Sequence, residues 1–276
     1  MKRILTAIVA LPILLYTIWS ESPYFFVALT AVAVVLALAE FYGLASKAGC
    51  KPQAIPGHAA ALVVIASFAF DEPQLIAAAM IALTILLLGA AAFNPDEMKK
   101  SLLSVSATVF GVIYVALLAG CLAGVRMAPV GASRSAIPHL ASKLLTMFFA
   151  LVMMTDTGAY YVGRTIGRHK LAPRISPGKT IEGAIGGLAA AILAGYLCKL
   201  TFFNEIPVSH ALVLGGVIGV VGQIGDLAES MLKRGAGVKD SGNLLPGHGG
   251  MLDRIDSILF CAPLLYYYSR LFASKF

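Results

Sequence analysis

The chain has 276 residues, of which 59% are apolar and only 13% charged, and its mean hydropathy is +0.85. Soluble domains carry about 25% charged residues, so this chain cannot clothe itself in polar surface and belongs in a bilayer. Its net charge of +7 would suit a nucleic-acid binder, but in a membrane protein basic loops record topology and contact with anionic headgroups, and no nucleic acid is expected as a partner.

In chain order, apolar runs fall at about 4–20, 24–45, 57–70, 74–93, 102–126, 140–163, 181–203, 209–226 and 256–273. Crossing a hydrocarbon core of about 30 Å takes about 20 residues, so the third run is short for a span. The first run follows Lys2 and Arg3 like a signal peptide, yet it is long and no small-residue cleavage site follows, so it reads as a retained span. The pattern predicts an all-α integral membrane protein, a polytopic bundle of about nine transmembrane helices. Residues 1–138 hold about five N-terminal spans. Residues 139–276 hold about four, with polar loops at 164–180 and 227–255, and form the expected catalytic region. Cys50, Cys121, Cys198 and Cys261 show no paired spacing and read as packing residues.

The bases orient the bundle. With a cytoplasmic N-terminus, that side holds Lys2, Arg3, Lys47, Lys51, Lys99, Lys100, Arg164, Arg168, Lys170, Arg174, Lys179, Lys233, Arg234, Lys239 and Arg254, fifteen of 21. The positive-inside rule therefore supports nine spans and puts both polar loops on the cytoplasmic face.

Three constellations can carry chemistry. Residues 230–256 hold four bases, three acids and six glycines in a chain that is otherwise greasy. If the eighth helix continues past Asp226, then Glu229, Ser230 and Lys233 follow on its face at i+3, i+4 and i+7. Asp253 and Asp256 open the ninth span at i, i+3. Asp226, Asp253 and Asp256 are thus candidate ligands for Mg²⁺, a hard ion that takes oxygen donors. The interleaved Lys233, Arg234, Lys239 and Arg254 suit phosphates, and the glycines flanking His248 offer bare backbone for close approach. The second constellation is 164–183, with Lys170, Ser176, Lys179 and Thr180. Here Ser176 and Pro177 read as the cap and first residue of the seventh span, with the helix N-terminus ready for an anion. The third is Asp156 in the sixth span, an acid at membrane depth that binds a cation, a ribose or a base, or else pairs with a neighbouring basic side chain. Glu40, near the end of the second span, reads as interfacial. His58, His139 and His210 have no metal-ligand spacing.

The pattern of Ser230, Leu232, Lys233, Arg234, Lys239, Asp240, Pro246, Gly247, His248, Gly249, Gly250, Asp253, Arg254 and Asp256 closely resembles the signature of the phosphatidate cytidylyltransferase (CDP-diacylglycerol synthase) family. Gly225 and Asp226 resemble it too, as do Asp156, Tyr160, Gly163, Gly167 and Lys170, and the run from Ser176 to Gly183. The likeness covers about residues 150–262. It implies an enzyme of the bacterial cytoplasmic (inner) membrane, with its active site facing the cytoplasm. Such an enzyme joins CTP to phosphatidate, a membrane lipid, and releases CDP-diacylglycerol and pyrophosphate. The resemblance also implies that Asp226 and Asp253 serve the catalytic metals and that the enzyme is a homodimer.

In that chemistry Asp226 and Asp253 hold Mg²⁺, alone or with a second metal ion, and Asp256 lies beside them. Lys233, Arg234 and Lys239 take phosphates, Ser230 donates a hydrogen bond or binds metal, and Asp240 orients the lysines. Lys170, Ser176, Lys179 and Thr180 hold the CTP phosphates. Two other readings compete: a CTP-dependent polyprenol or dolichol kinase, which would release CDP, and a transporter with a cytoplasmic ion site.

Overall fold

The computed structural model of the chain describes residues 2–93, 98–128, 137–242 and 249–272. Among these, ten α-helices form. They are α1 (Lys2–Trp19), α2 (Tyr24–Lys47), α3 (Ala54–Phe70), α4 (Gln74–Ala92), α5 (Met98–Gly111), α6 (Leu118–Met127), α7 (Leu140–Ile166), α8 (Ile181–Thr201), α9 (Val208–Gly235) and α10 (Leu252–Leu271). A π-helical segment, Val112–Leu117, joins α5 to α6. In lipid every backbone polar group must be paired within its own segment, which leaves the helix as the local solution for apolar runs.

The protein is an all-α integral membrane bundle. Among the described residues, six helical stretches are long and apolar enough to cross a bilayer: Tyr24–Lys47, Gln74–Ala92, Lys100–Met127, Leu140–Ile166, Ile181–Thr201 and Val208–Gly235. Ala10–Trp19 and Ala54–Phe70 are shorter apolar helices. The run at 256–273 folds as most of α10, but Asp256, Arg270 and three consecutive tyrosines, Tyr266 to Tyr268, make it more polar than those six.

The chain divides into two compact units: Met1–Met127 with Leu232–Ile255, and Ala128–Met231 with Asp256–Phe276. Residues Leu232–Ile255 thus group with the N-terminal helices rather than with the rest of the C-terminal half. In the first unit Val34, Leu38, Phe41, Val64, Val112 and Val115 are buried. The Tyr42 hydroxyl donates to the Thr108 carbonyl at 3.0 Å. Ile55, Phe70, Ile85 and Leu102 are instead exposed as large apolar side chains, the surface expected to meet lipid.

The second unit rests on the crossing of α7 and α8, where small residues let the backbones touch. A Cβ placed on Gly158 would lie 2.5 Å from the Ala190 Cβ and 2.8 Å from the Gly186 carbonyl oxygen. One on Gly187 would lie 2.7 Å from the Thr155 carbonyl oxygen. Close approach of this kind is how helices associate in lipid, where apolar contact alone gives no preference for protein over solvent.

Between these helices the chain forms a two-stranded antiparallel hairpin, β1 (Lys170–Ala172) and β2 (Ser176–Thr180), with Lys170 opposite Thr180 and Ala172 opposite Ser176. The hairpin corrects the expected helix start at Ser176 and Pro177. Gly178 is a weak helix former, and extended pairing with β1 satisfies the backbone of this stretch. The helix begins instead at Ile181. Thr180 is its cap, in extended conformation, and its Oγ1 accepts the Gly183 N–H at 3.1 Å. Glu182 in the first turn accepts the backbone N–H groups of Arg168 and His169 at 3.0 and 3.2 Å and pairs with His169 Nδ1 at 2.6 Å. An acid already stands at this positive helix end.

Gly158→Ala should destabilise the detergent-solubilised protein by about 1–3 kcal/mol through overpacking. Gly216→Ala is the matched control, because its nearest neighbour would be the Ile192 Cγ1 at 4.0 Å. It should stay within about 0.5 kcal/mol of the parent. Equal melting of both variants would contradict the close-packed crossing.

Candidate active site

The second unit contains a cleft of about 550 Å³. α7 lines it with Asp156, Tyr160, Gly163 and Arg164, the hairpin with Leu171, Ser176, Gly178 and Lys179, and α9 with Gln223 and Asp226. The cap that starts α8 sets this arrangement. Thr180, 6% exposed, fixes the end of β2, so that Lys179, one residue before it, faces Asp226. Lys179 Nζ lies 2.7 Å from Asp226 Oδ2. Gln223, one turn before Asp226, ties α9 to α8 by donating to the Ala184 carbonyl at 3.1 Å.

At Asp226 the cleft meets a second feature. Ligand atoms of Asp226, Glu229 and Asp256 all lie within 4.8 Å of one another. Asp226 and Glu229 share a face of α9 at i, i+3, and Glu229 is fully buried. Asp256 arrives on α10. Gly225 permits that approach, since a Cβ there would lie 2.9 Å from the Asp256 carbonyl oxygen and 2.9 Å from the Phe260 Cβ. Three carboxylates this close repel one another and call for positive charge. Among the printed ion pairs, Lys179 answers Asp226. The donors are all oxygen, as Mg²⁺ requires, so the residues present fit that ion.

In the first unit the polar loop is organised around Asp253. Its Oδ1 accepts from Lys233 Nζ at 2.5 Å, a pair whose side chains are 12% and 8% exposed. Its Oδ2 accepts from the Gly250 N–H at 2.7 Å, the Ser241 hydroxyl at 2.8 Å and the Ser241 N–H at 3.0 Å. Burial pushes this carboxyl up, but the bonds from Lys233, Gly250 and Ser241 outweigh it and hold the pKa at about 2. A depressed carboxyl contributes stability that is fully present above its unfolded pKa, about 3.9 for Asp, and is lost as the pH falls towards 2. Asp253 is therefore ionised at every physiological pH.

The remaining expected site residues are distributed as follows. Ser230 lies on α9 and is half-buried. Arg234 Nη1 donates to the Val238 carbonyl at 3.1 Å. Lys239, Asp240, Arg254 and Lys170 are exposed. His248 lies outside the described residues. Two acids were not given their roles by sequence reasoning. The sequence places Glu229 on the face of Asp226 and reads Asp226, Asp253 and Asp256 as metal ligands; in the structure the acids grouped with Asp226 are Glu229 and Asp256. Glu40 was read as interfacial, yet it accepts the Met251 N–H at 2.9 Å and the Leu252 N–H at 2.8 Å. Helical phase alone was signal enough for Glu229. Nothing local signals Glu40.

Comparison with known proteins adds the family. A phosphatidate cytidylyltransferase of Bacillus subtilis is 48% identical over 132 residues, 47% of this chain and 49% of that protein. One from Brucella suis is 50% identical over 130 residues, 47% of each chain. One from Staphylococcus saprophyticus is 49% identical over 117 residues, 42% of this chain and 45% of its own. The matched stretch spans about half the length of these relatives. The model of the cytidylyltransferase family, by contrast, matches residues 1–272, nearly the whole chain. With acids, bases and cleft arranged as described, the chain belongs to the cytidylyltransferase family.

Proposed function

We propose that the protein transfers the cytidylyl group of CTP to phosphatidate, giving CDP-diacylglycerol and pyrophosphate, at the cytoplasmic face of a bacterial inner membrane. One observation carries this reading. Asp226 belongs both to the cleft, where it pairs with Lys179, and to the carboxylate cluster with Glu229 and Asp256. A nucleotide whose phosphates reach Lys179 would thus lie beside a site built for a divalent cation. The names of the relatives agree with this reading.

The transfer breaks the bond between the α-phosphorus of CTP and its bridging oxygen to the β-phosphate. It forms one from a phosphatidate oxygen to the same phosphorus. Both partners are anions, so alignment and charge neutralisation dominate catalysis. Lys179 and Arg164 supply positive charge in the cleft, and Gly178 supplies backbone without a side chain. Asp156 and Gln223 offer polar groups to the nucleoside. Mg²⁺, held by Asp226, Glu229 and Asp256, would supply Lewis-acid stabilisation of the transferring phosphoryl oxygens. Lys233, Arg234 and Lys239 are the bases that the family resemblance assigns to phosphates, and within the first unit Asp253 holds Lys233. The phosphatidate phosphate is already ionised near neutral pH, so no general base is needed, and no covalent enzyme intermediate is required.

The direct test uses purified protein with cytidine-labelled CTP and phosphatidate. Lipid-soluble label with equimolar pyrophosphate, abolished by EDTA and restored by Mg²⁺, is the expected result. Release of CDP instead would identify a kinase and overturn the reading. Glu229→Gln should lower kcat as severely as Asp226→Asn, each by about 100-fold or more, the scale of losing one preorganised electrostatic contact. Near-normal turnover of Glu229→Gln at saturating Mg²⁺ would remove it from the metal set. Lys179→Glu should raise KM for CTP more than KM for phosphatidate. The opposite pattern would move the cleft to the lipid.

A further inference from the structure

Glu40 sits near the C-terminal end of α2, among the N-terminal helices that carry none of the cleft residues. Its carboxylate receives three donors from a segment about 200 residues further on. Oε1 accepts the Met251 N–H at 2.9 Å, and Oε2 accepts the Leu252 N–H at 2.8 Å and the Ser241 hydroxyl at 3.0 Å. The same hydroxyl lies 2.8 Å from Asp253 Oδ2. It has one hydrogen for two carboxylates, but each carboxylate also holds backbone N–H groups, so neither depends on the hydroxyl alone. Gly242 and Gly250 make room for Glu40. A Cβ on Gly242 would lie 2.6 Å from its Oε1, and one on Gly250 would clash with its Oε2.

One of these donors is the first N–H group of α10, at Leu252, and another is on the residue just before it; no intrahelical carbonyl can reach either. An acid at that end also meets the positive pole of the helix. A carboxylate on a membrane helix is costly unless it is answered, and Glu40 is answered only by this loop among its described hydrogen bonds. We propose that Glu40 is a positioning residue for the reaction: from α2 it fixes the start of α10 and, through Ser241, the carboxylate of Asp253 that holds Lys233. The N-terminal helices thereby take part in the active machinery as well as in anchoring. This role rests on the cytidylyl-transfer reading.

The test uses the full chain with Glu40→Ala, and with Glu40→Gln, which keeps the side-chain volume, where the alanine variant does not fold. Amide exchange is followed at Met251 and Leu252, and activity is expressed per folded protein. Exchange at these amides should rise in Glu40→Ala, because its charged acceptor is gone. Loss of a buttressing contact of this kind costs about tenfold or more, and it should appear in kcat while KM for CTP stays within about twofold. For Glu40→Gln the same direction is expected with a smaller loss. Unchanged exchange would overturn the clasp. Faster exchange with unchanged kcat would make Glu40 structural only and overturn the positioning role. A parent enzyme that makes no CDP-lipid would overturn the reaction reading and the positioning role together, while exchange still reported whether the clasp exists.

Discussion

A carboxylate taken out of water must be met by cations or by hydrogen-bond donors, and in this chain each important acid is met by one or the other. Glu40 receives two backbone N–H groups, Asp253 a lysine and two backbone N–H groups, and the one Ser241 hydroxyl lies within reach of both. Asp226, Glu229 and Asp256 converge with Lys179 as the near cation. The first two are satisfied internally and organise the loop. The other three bring their oxygens within 4.8 Å of one another, the geometry on which the proposed divalent-ion site rests. The division of labour among the acids follows from this accounting rather than from their spacing in the chain.

Glycine makes the convergence physically possible. The crossing of α7 and α8 at Gly158 and Gly187 brings backbones to contact distance and sets one wall of the cleft. Gly225 does the same for α9 and α10, so that Asp226 and Asp256 meet. A bilayer rewards such packing because side chains and lipid tails offer similar apolar surroundings, which leaves close fit and polar contacts to decide the arrangement.

Much of this was legible in the residues. Apolar runs became helices because lipid leaves the backbone few alternatives, and the resemblance carried by the polar loops is matched by the family model. The sequence ends the eighth apolar run at Asp226, and α9 continues to Gly235, which puts Glu229 on the face of Asp226. The hairpin was not legible, because three- and five-residue strands with two nearby prolines carry little periodicity, and their pairing is a tertiary fact. That pairing moved the start of α8 from Pro177 to Ile181 and made Thr180, which also lines the cleft, the cap of that helix. Glu40 was invisible for a different reason. Its partners lie some 200 residues away, and no local pattern encodes a contact over that separation.

We propose Asp226, Glu229 and Asp256 as the divalent-ion site, with Asp253 paired to Lys233. The most direct measurement is an experimental structure with Mn²⁺ in place of Mg²⁺, read by anomalous scattering. A single peak bounded by the carboxylates of Asp226, Glu229 and Asp256, with Lys233 still paired to Asp253, is the predicted result. A peak on Asp253 with Lys233 displaced, and none touching Glu229, would contradict it.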